Sequence, residues 1–140
     1  MAAVTFEPAP HLEQGEVVAL YESVGWSAYT RDPVTLMAAL AGSSYVVAAR
    51  VEGALVGLAR VVSDGVTICY LQDVLVDPAH QRTGLGRALV TAALEPYSSV
   101  RQTVLLTDAE PAQRAFYESL GFREVRDVAE AALRAFVRFT

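Results

Sequence analysis

The spacing of apolar residues changes along the chain, and with it the kind of element each stretch predicts. A short strand over Val4 to Glu7 comes first. From Glu13 to Val24 the apolar residues Val17, Leu20, Tyr21 and Val24 recur at helical intervals, and Gly25 stands where such a helix would end. Asp32-Pro33 supplies a cap and a first-turn residue for a second helix through Leu40, stopped by Gly42. Then the period drops to that of strands. Tyr45 to Val51, Ala54 to Val62 and Thr67 to Val76 are rich in valine and separated by Glu52-Gly53 and Asp64-Gly65, the pattern of a three-stranded antiparallel meander. Asp77-Pro78 closes the third strand, because proline has no N–H to give to a ladder. After a polar loop, Leu85, Ala88, Leu89 and Ala92 predict a helix running to Glu95. Thr103 to Thr107 reads as a buried strand, Pro111 to Leu120 as a helix ended by Gly121, and Phe122 to Val125 and Leu133 to Phe139 as two last strands. The order predicts an α/β layer architecture with a mixed, mostly antiparallel central sheet flanked by helices.

No linker or repeat interrupts that order, and 140 residues that are 53% apolar suffice for the core of one domain spanning 1–140. No apolar run reaches the roughly 18 residues a membrane span needs, and Met1 to Pro10 lacks the basic start and apolar core of a signal peptide. The expectation is a soluble, cytoplasmic protein with no membrane partner. A net charge of -5 argues against sequence-independent binding to nucleic acid, although Arg82 and Arg87 form a local basic patch. The single cysteine, Cys69, has no disulfide partner, and His11 and His80 give no metal-ligand spacing, so no metal is expected.

The segment Val74 to Ala88 changes the picture, because an apolar strand there runs into a glycine loop and straight into a helix. The first N–H groups of a helix have no intrahelical acceptor, and the macrodipole adds about half a positive charge at that end. Gly84 and Gly86 remove side chains that would hold phosphate oxygens away, while Arg82 and Arg87 add charged donors. The loop therefore suits a pyrophosphate-bearing ligand, the alternative being a plain glycine loop that caps a helix. A Walker loop needs a lysine, and the chain contains none. The dinucleotide fingerprint needs a small residue where Leu89 stands and a parallel strand-helix-strand setting, which the meander contradicts.

Gln81-Arg82-Thr83-Gly84-Leu85-Gly86 resembles the acetyl-CoA motif of the GNAT N-acetyltransferases, and Ala115-Phe116-Tyr117-Glu118-Ser119-Leu120-Gly121-Phe122 resembles that family's late aromatic segment. The two stand in the family's order, about one strand and one helix apart. Gln72-Asp73-Val74-Leu75-Val76-Asp77-Pro78 is also similar to the strand that precedes this loop in the short serotonin N-acetyltransferase-like proteins. The resemblance implies a GNAT-like fold that transfers the acetyl group of acetyl-CoA to a primary amine, with a small-molecule acceptor expected and a homodimer possible for the fold. It assigns acetyl-CoA to Leu75, Val76, Gln81, Arg82, Thr83, Gly84, Leu85, Gly86, Arg87 and Ala88. A backbone N–H near Leu75 would face the thioester carbonyl, and such a donor is worth on the order of 3 kcal/mol in other acyl transferases.

By the same resemblance Tyr117 protonates the departing thiolate, a core aromatic being the alternative. Asp73, or its neighbour Gln72, lies near the strand position where relatives carry the proton-accepting carboxylate; a structural hydrogen-bonded residue is the alternative. Strand alternation allows only one of Gln72 and Asp73 to face the substrate. Many relatives have asparagine seven residues before this tyrosine, and its side chain contacts the pantetheine region; the chain departs from that pattern with Glu110, with Asp108 nearby as the other polar residue. Cys69 in an apolar strand reads as a core thiol, which favours direct transfer. Trp26, Tyr29, Tyr45 and Tyr70 are available either to an acceptor site or to the core. A non-catalytic acyl-CoA sensor or interaction module on the same fold is the competing reading, favoured if Asp73 faces the core and Tyr117 is buried away from the sulfur.

Overall fold

Five strands make one sheet whose spatial order repeats their order in the chain: β1 (Val4–Pro8), β2 (Tyr45–Val51), β3 (Ala54–Ser63), β4 (Ile68–Val76) and β5 (Gln102–Leu105). The first four pair antiparallel and β5 runs parallel to β4. The computed structural model describes residues 2–140, Met1 lying outside the described residues, and divides the chain into two units: one through Leu106, the other Thr107–Thr140.

In the first unit α1 (Gln14–Ser23), α2 (Ser27–Thr30) and α3 (Pro33–Ala41) separate β1 from β2, and α4 (Leu85–Leu94) lies between β4 and β5. The expected signals act locally. Asp32 caps α3 by accepting from the Thr35 N–H at 3.1 Å, and Gly25 follows α1 at φ +79°. The helix α2 was not expected; it is a single turn, too short for a periodic signal. Val17, Leu20 and Tyr21 of α1 and Leu36 and Leu40 of α3 pack on Val46, Leu58 and Leu75 of the sheet. On the α4 side Leu85 and Leu89 are buried, each contributing about 1.5–3 kcal/mol by leaving water. Gly57 of β3 permits that approach, since a Cβ there would lie 2.8 Å from Leu89 Cδ1 and 3.1 Å from Leu85 Cδ2.

Two register shifts interrupt the sheet. Arg60 pairs with Asp73 and Val61 with Leu71, so Gln72 is an extra residue in β4. Ala49 pairs with Gly57 and Arg50 with Leu55, which makes Val56 the extra residue in β3.

The second unit holds α5 (Pro111–Ser119) and a 3-10 turn at Val125–Asp127. The guanidinium of Arg114 pairs with Glu118, Glu124 and Asp127 at 3.1, 2.6 and 2.5 Å. The two strands expected over Phe122 to Val125 and Leu133 to Phe139 are not formed. Alternating side chains favour extended backbone, but a strand also needs a ladder partner, and neither segment has one among the described residues. Phe136 and Phe139 are 94% and 87% exposed.

Candidate active site

The turn from β4 into α4 is built by its own short-range bonds. Asp77 accepts from the Ala79 N–H at 2.9 Å and starts a 3-10 turn over Pro78–His80. Thr83 Oγ1 donates to the His80 carbonyl at 2.6 Å, and Gln81 Nε2 donates to the Val76 carbonyl at 3.1 Å, so both side chains brace the loop. Arg82 and Gly84 take positive φ values of 62° and 84°, and Gly84 caps α4 with no side-chain hydrogen bond. The first helical bond is Ala88 N–H to the Gly84 carbonyl at 3.1 Å, which leaves Leu85 and Gly86 without an acceptor inside the helix. A Cβ on Gly84 would meet nothing within 4 Å, so open space lies over that end of α4. Arg82 and Arg87 are exposed beside it, while Leu85 is turned into the core. Donors, positive charge and space thus meet where an anion would be held.

Among the described residues, the adjoining part of β4 has no strand partner on its β5 side. Pairing with β5 covers only Ile68 to Leu71, ending at Leu71 opposite Leu105. The Asp77 N–H points at β3, where it donates to the Val56 carbonyl at 2.8 Å. Alternation from Asp77 back through the regular pairs turns Leu75 toward β3 as well, and turns Val74 and Val76 to the side that β5 has left. Leu75, expected to meet the cofactor, has its side chain in the core and its peptide groups in the ladder. Val74 was not singled out from the sequence, yet with Val76 it carries the outward N–H groups. An extended ligand bearing amides could bond to this edge as a further strand does.

Asp73 lies 2% exposed among three donors. Oδ2 accepts from Arg60 Nε at 2.5 Å and from the Tyr21 hydroxyl at 2.9 Å, and Oδ1 accepts from the Tyr29 hydroxyl at 3.1 Å. Three of the carboxylate's roughly four acceptor sites are thus already taken by the protein. Burial opposes the Arg60 charge, but the bond to Asp73 and its charge outweigh that and raise the guanidinium pKa. Burial first, then the Asp73 charge, push the Tyr21 phenol far above its usual range and keep it a donor. Gln72 Nε2 also reaches the Tyr29 hydroxyl, at 3.3 Å. Gln72 and Asp73 therefore face the same side, contrary to simple alternation, because Gln72 is the extra residue of the bulge.

The rings of Tyr21, Trp26 and Tyr29 pack with centroids 5.2 to 6.1 Å apart. Tyr70 stands near enough to feel Tyr29 and Asp73; burial first and then those groups raise its pKa. Tyr45, expected with them, instead packs against Tyr97 at 6.2 Å, and Tyr21 takes its place in the cluster. Cys69 is fully buried and burial raises its pKa, which makes it a poor nucleophile.

In the second unit Tyr117 of α5 packs edge-on between Phe116 and Phe122 at 5.0 and 5.9 Å. Burial, then the Asp108 charge, push its phenol up, so it remains protonated at neutral pH. Asp108 Oδ1 accepts from the Glu110 N–H at 3.0 Å, and Glu110 precedes α5 without capping it through its side chain.

A strand edge left unpaired among the described residues, leading into a helix start with unbonded N–H groups, suits an extended, phosphate-bearing ligand. A family model described as the acetyltransferase (GNAT) domain matches residues 24–140, and the chain belongs to that family. A soybean (Glycine max) protein named histone acetyltransferase TAP1 is 29% identical over 133 residues, which are 85% of this chain and 55% of that protein. The chain spans about half the length of the curated relatives it matches. Among solved structures, a GNAT family acetyltransferase from Streptococcus pneumoniae is 28% identical, with a TM-score of 0.84 over 99% of this chain and 98% of its own. The aminoglycoside N-acetyltransferase AAC(6')-Iy, solved in complex with CoA, shares the fold at 14% identity, with a TM-score of 0.70 over 100% of this chain and 96% of its own.

Proposed function

We propose that the chain transfers the acetyl group of acetyl-CoA directly to a primary amine of a small molecule. The observation that carries this reading is the continuity of the open β4 edge with the uncapped start of α4. The N–H groups of Val74 and Val76 suit the amides of the pantetheine arm. The N–H groups of Leu85 and Gly86, with Arg82 and Arg87 beside them, suit the pyrophosphate. Acetyl-CoA would supply an activated thioester whose leaving group is a thiolate. The CoA complex of a protein with the same fold supports this choice of ligand.

On the protein's side, one of the outward N–H groups of β4 would hold the thioester carbonyl and favour charge developing on its oxygen. Tyr117, protonated at neutral pH, suits the role of acid toward the thiolate. Asp73, closed in by its three donors, acts in this reading through Tyr29. The rings of Tyr21, Trp26 and Tyr29 favour an acceptor with an aryl group, each good ring contact contributing about 0.5–1.5 kcal/mol.

Titration calorimetry with acetyl-CoA, followed by a thiol-release assay on arylalkylamines, polyamines, amino acids and peptides, tests the reading. Tight binding with thiol release on an aryl amine supports it in full. A strong preference for peptides, as the name of the soybean relative suggests for that protein, would leave acetyl transfer standing and remove the small-molecule acceptor. A second reading, an acyl-CoA sensor, is favoured by the burial of Asp73. Binding without release on the whole panel would establish it.

A further inference from the structure

We propose that Tyr29 is a specificity-determining residue, its hydroxyl oxygen accepting an N–H hydrogen bond from the acceptor amine. This rests on the acetyltransferase reading above and names the group on the acceptor side.

The argument begins with the carboxylate of Asp73, which can only accept. Paired with Arg60 and bonded by Tyr21, it takes the Tyr29 proton on Oδ1 at 3.1 Å. A phenol has one proton to donate and an oxygen that accepts. With the proton committed, the Tyr29 oxygen is an acceptor only. Gln72 Nε2 approaches it as a donor at 3.3 Å and the Arg60 guanidinium bonds it as well, so an incoming N–H takes the place of the long Gln72 contact. A neutral primary amine can use one N–H in this way and keep its lone pair for attack.

The position of that oxygen is set from several directions. Its ring packs on Tyr21 at 5.2 Å and on Trp26 at 6.1 Å, and the residue is half-buried, neither sealed in the core nor free in solvent. The bulge brings Gln72 and Asp73 to the same hydroxyl. It does so at the point where β4 parts from β5, directly before the outward N–H groups of Val74 and Val76. An acceptor-only oxygen thus stands next to the strand edge on which the acyl group would lie.

The test compares wild type, Tyr29→Phe and Gln72→Met in thiol release, with 2-phenylethylamine, spermidine and a lysine-containing peptide as probes. Parameters are taken on whichever probe turns over fastest. Tyr29→Phe keeps the ring and leaves Asp73 bonded to Arg60 and Tyr21. It should raise the amine KM by about 5- to 20-fold while the acetyl-CoA KM stays within about twofold, the scale of one lost hydrogen bond. Gln72→Met frees that position on the oxygen and should lower the amine KM by about threefold. An unchanged amine KM in Tyr29→Phe overturns the proposal. So does an equal loss for both substrates together with a lower melting temperature, the mark of a purely structural residue. If Tyr29→Phe does not fold, an unchanged amine KM in Gln72→Met overturns it. If wild type releases no thiol with any probe, the acetyltransferase reading fails first, an outcome separate from any difference among the variants.

Discussion

Replacing Asp73 with asparagine removes one charge from a buried pair and leaves the other in place. Arg60 is 7% exposed and Asp73 is 2% exposed, so water cannot take over the lost partner. The amide oxygen in the place of Oδ2 keeps the Tyr21 bond, and the amide nitrogen in the place of Oδ1 can donate to the Tyr29 oxygen, which keeps those losses small. The Arg60 charge is left unpaired, and breaking a buried pair by removing one partner costs about 3–5 kcal/mol. That is a large part of the 5–15 kcal/mol, roughly, that holds a domain together. For a chain of this length it amounts to a drop of about 10–20 °C in Tm. Urea and thermal melts at pH 7 on wild type, Asp73→Asn, Arg60→Met and the double variant measure it. The double variant buries no unpaired charge and should be much more stable than the sum of the single losses predicts. A loss below about 1 kcal/mol in Asp73→Asn, or strict additivity in the cycle, would refute the view that this pair is a desolvated, mutually dependent unit.

Gly84→Ala should cost about 1–2 kcal/mol through its φ of +84° and weaken acetyl-CoA binding at least about tenfold; Gly53→Ala, with a similar φ of +83°, should show the strain alone, and equal affinity loss in both would sink the loop assignment. Tyr117→Phe should retain acetyl-CoA affinity and lower kcat by about 10²-fold, the low end for a general acid because a thiolate leaves readily; unchanged turnover in a chemistry-limited assay returns Tyr117 to a packing role. Among the carboxyls whose pKa values are lowered in the folded chain are Glu16, through its bond to Arg50, and Asp64, through the Thr67 hydroxyl and the N–H groups of Val66, Thr67 and Ile68. A folded pKa below the unfolded one contributes stability above about pH 4 that is lost as pH falls through the folded value. Glu16→Gln should therefore flatten the acid limb of a stability-against-pH curve, and an unaltered limb would contradict that assignment.

Much of the first unit was legible in order because its signals are local. The capping of α3 by Asp32, the span of β2, and the glycine loop from β4 into α4 each depend on residues within a few positions of one another. Tertiary structure decided the rest. The bulge at Gln72 exists only in the pairing of β4 with β3, and it overturns the rule that adjacent strand residues face opposite sides. Where β4 loses its partner depends on the length of its pairing with β5, and the register with β3 makes Val74 and Val76, not Leu75, the outward donors. The network around Asp73 joins residues 13, 44 and 52 positions away, distances over which no periodicity carries information. The alternating tail from Leu133 to Phe139 shows the converse, since its side chains predict a strand but not the ladder partner a strand requires. Propensity and caps are properties of a segment, whereas a buried carboxylate or a free strand edge is a property of what surrounds it.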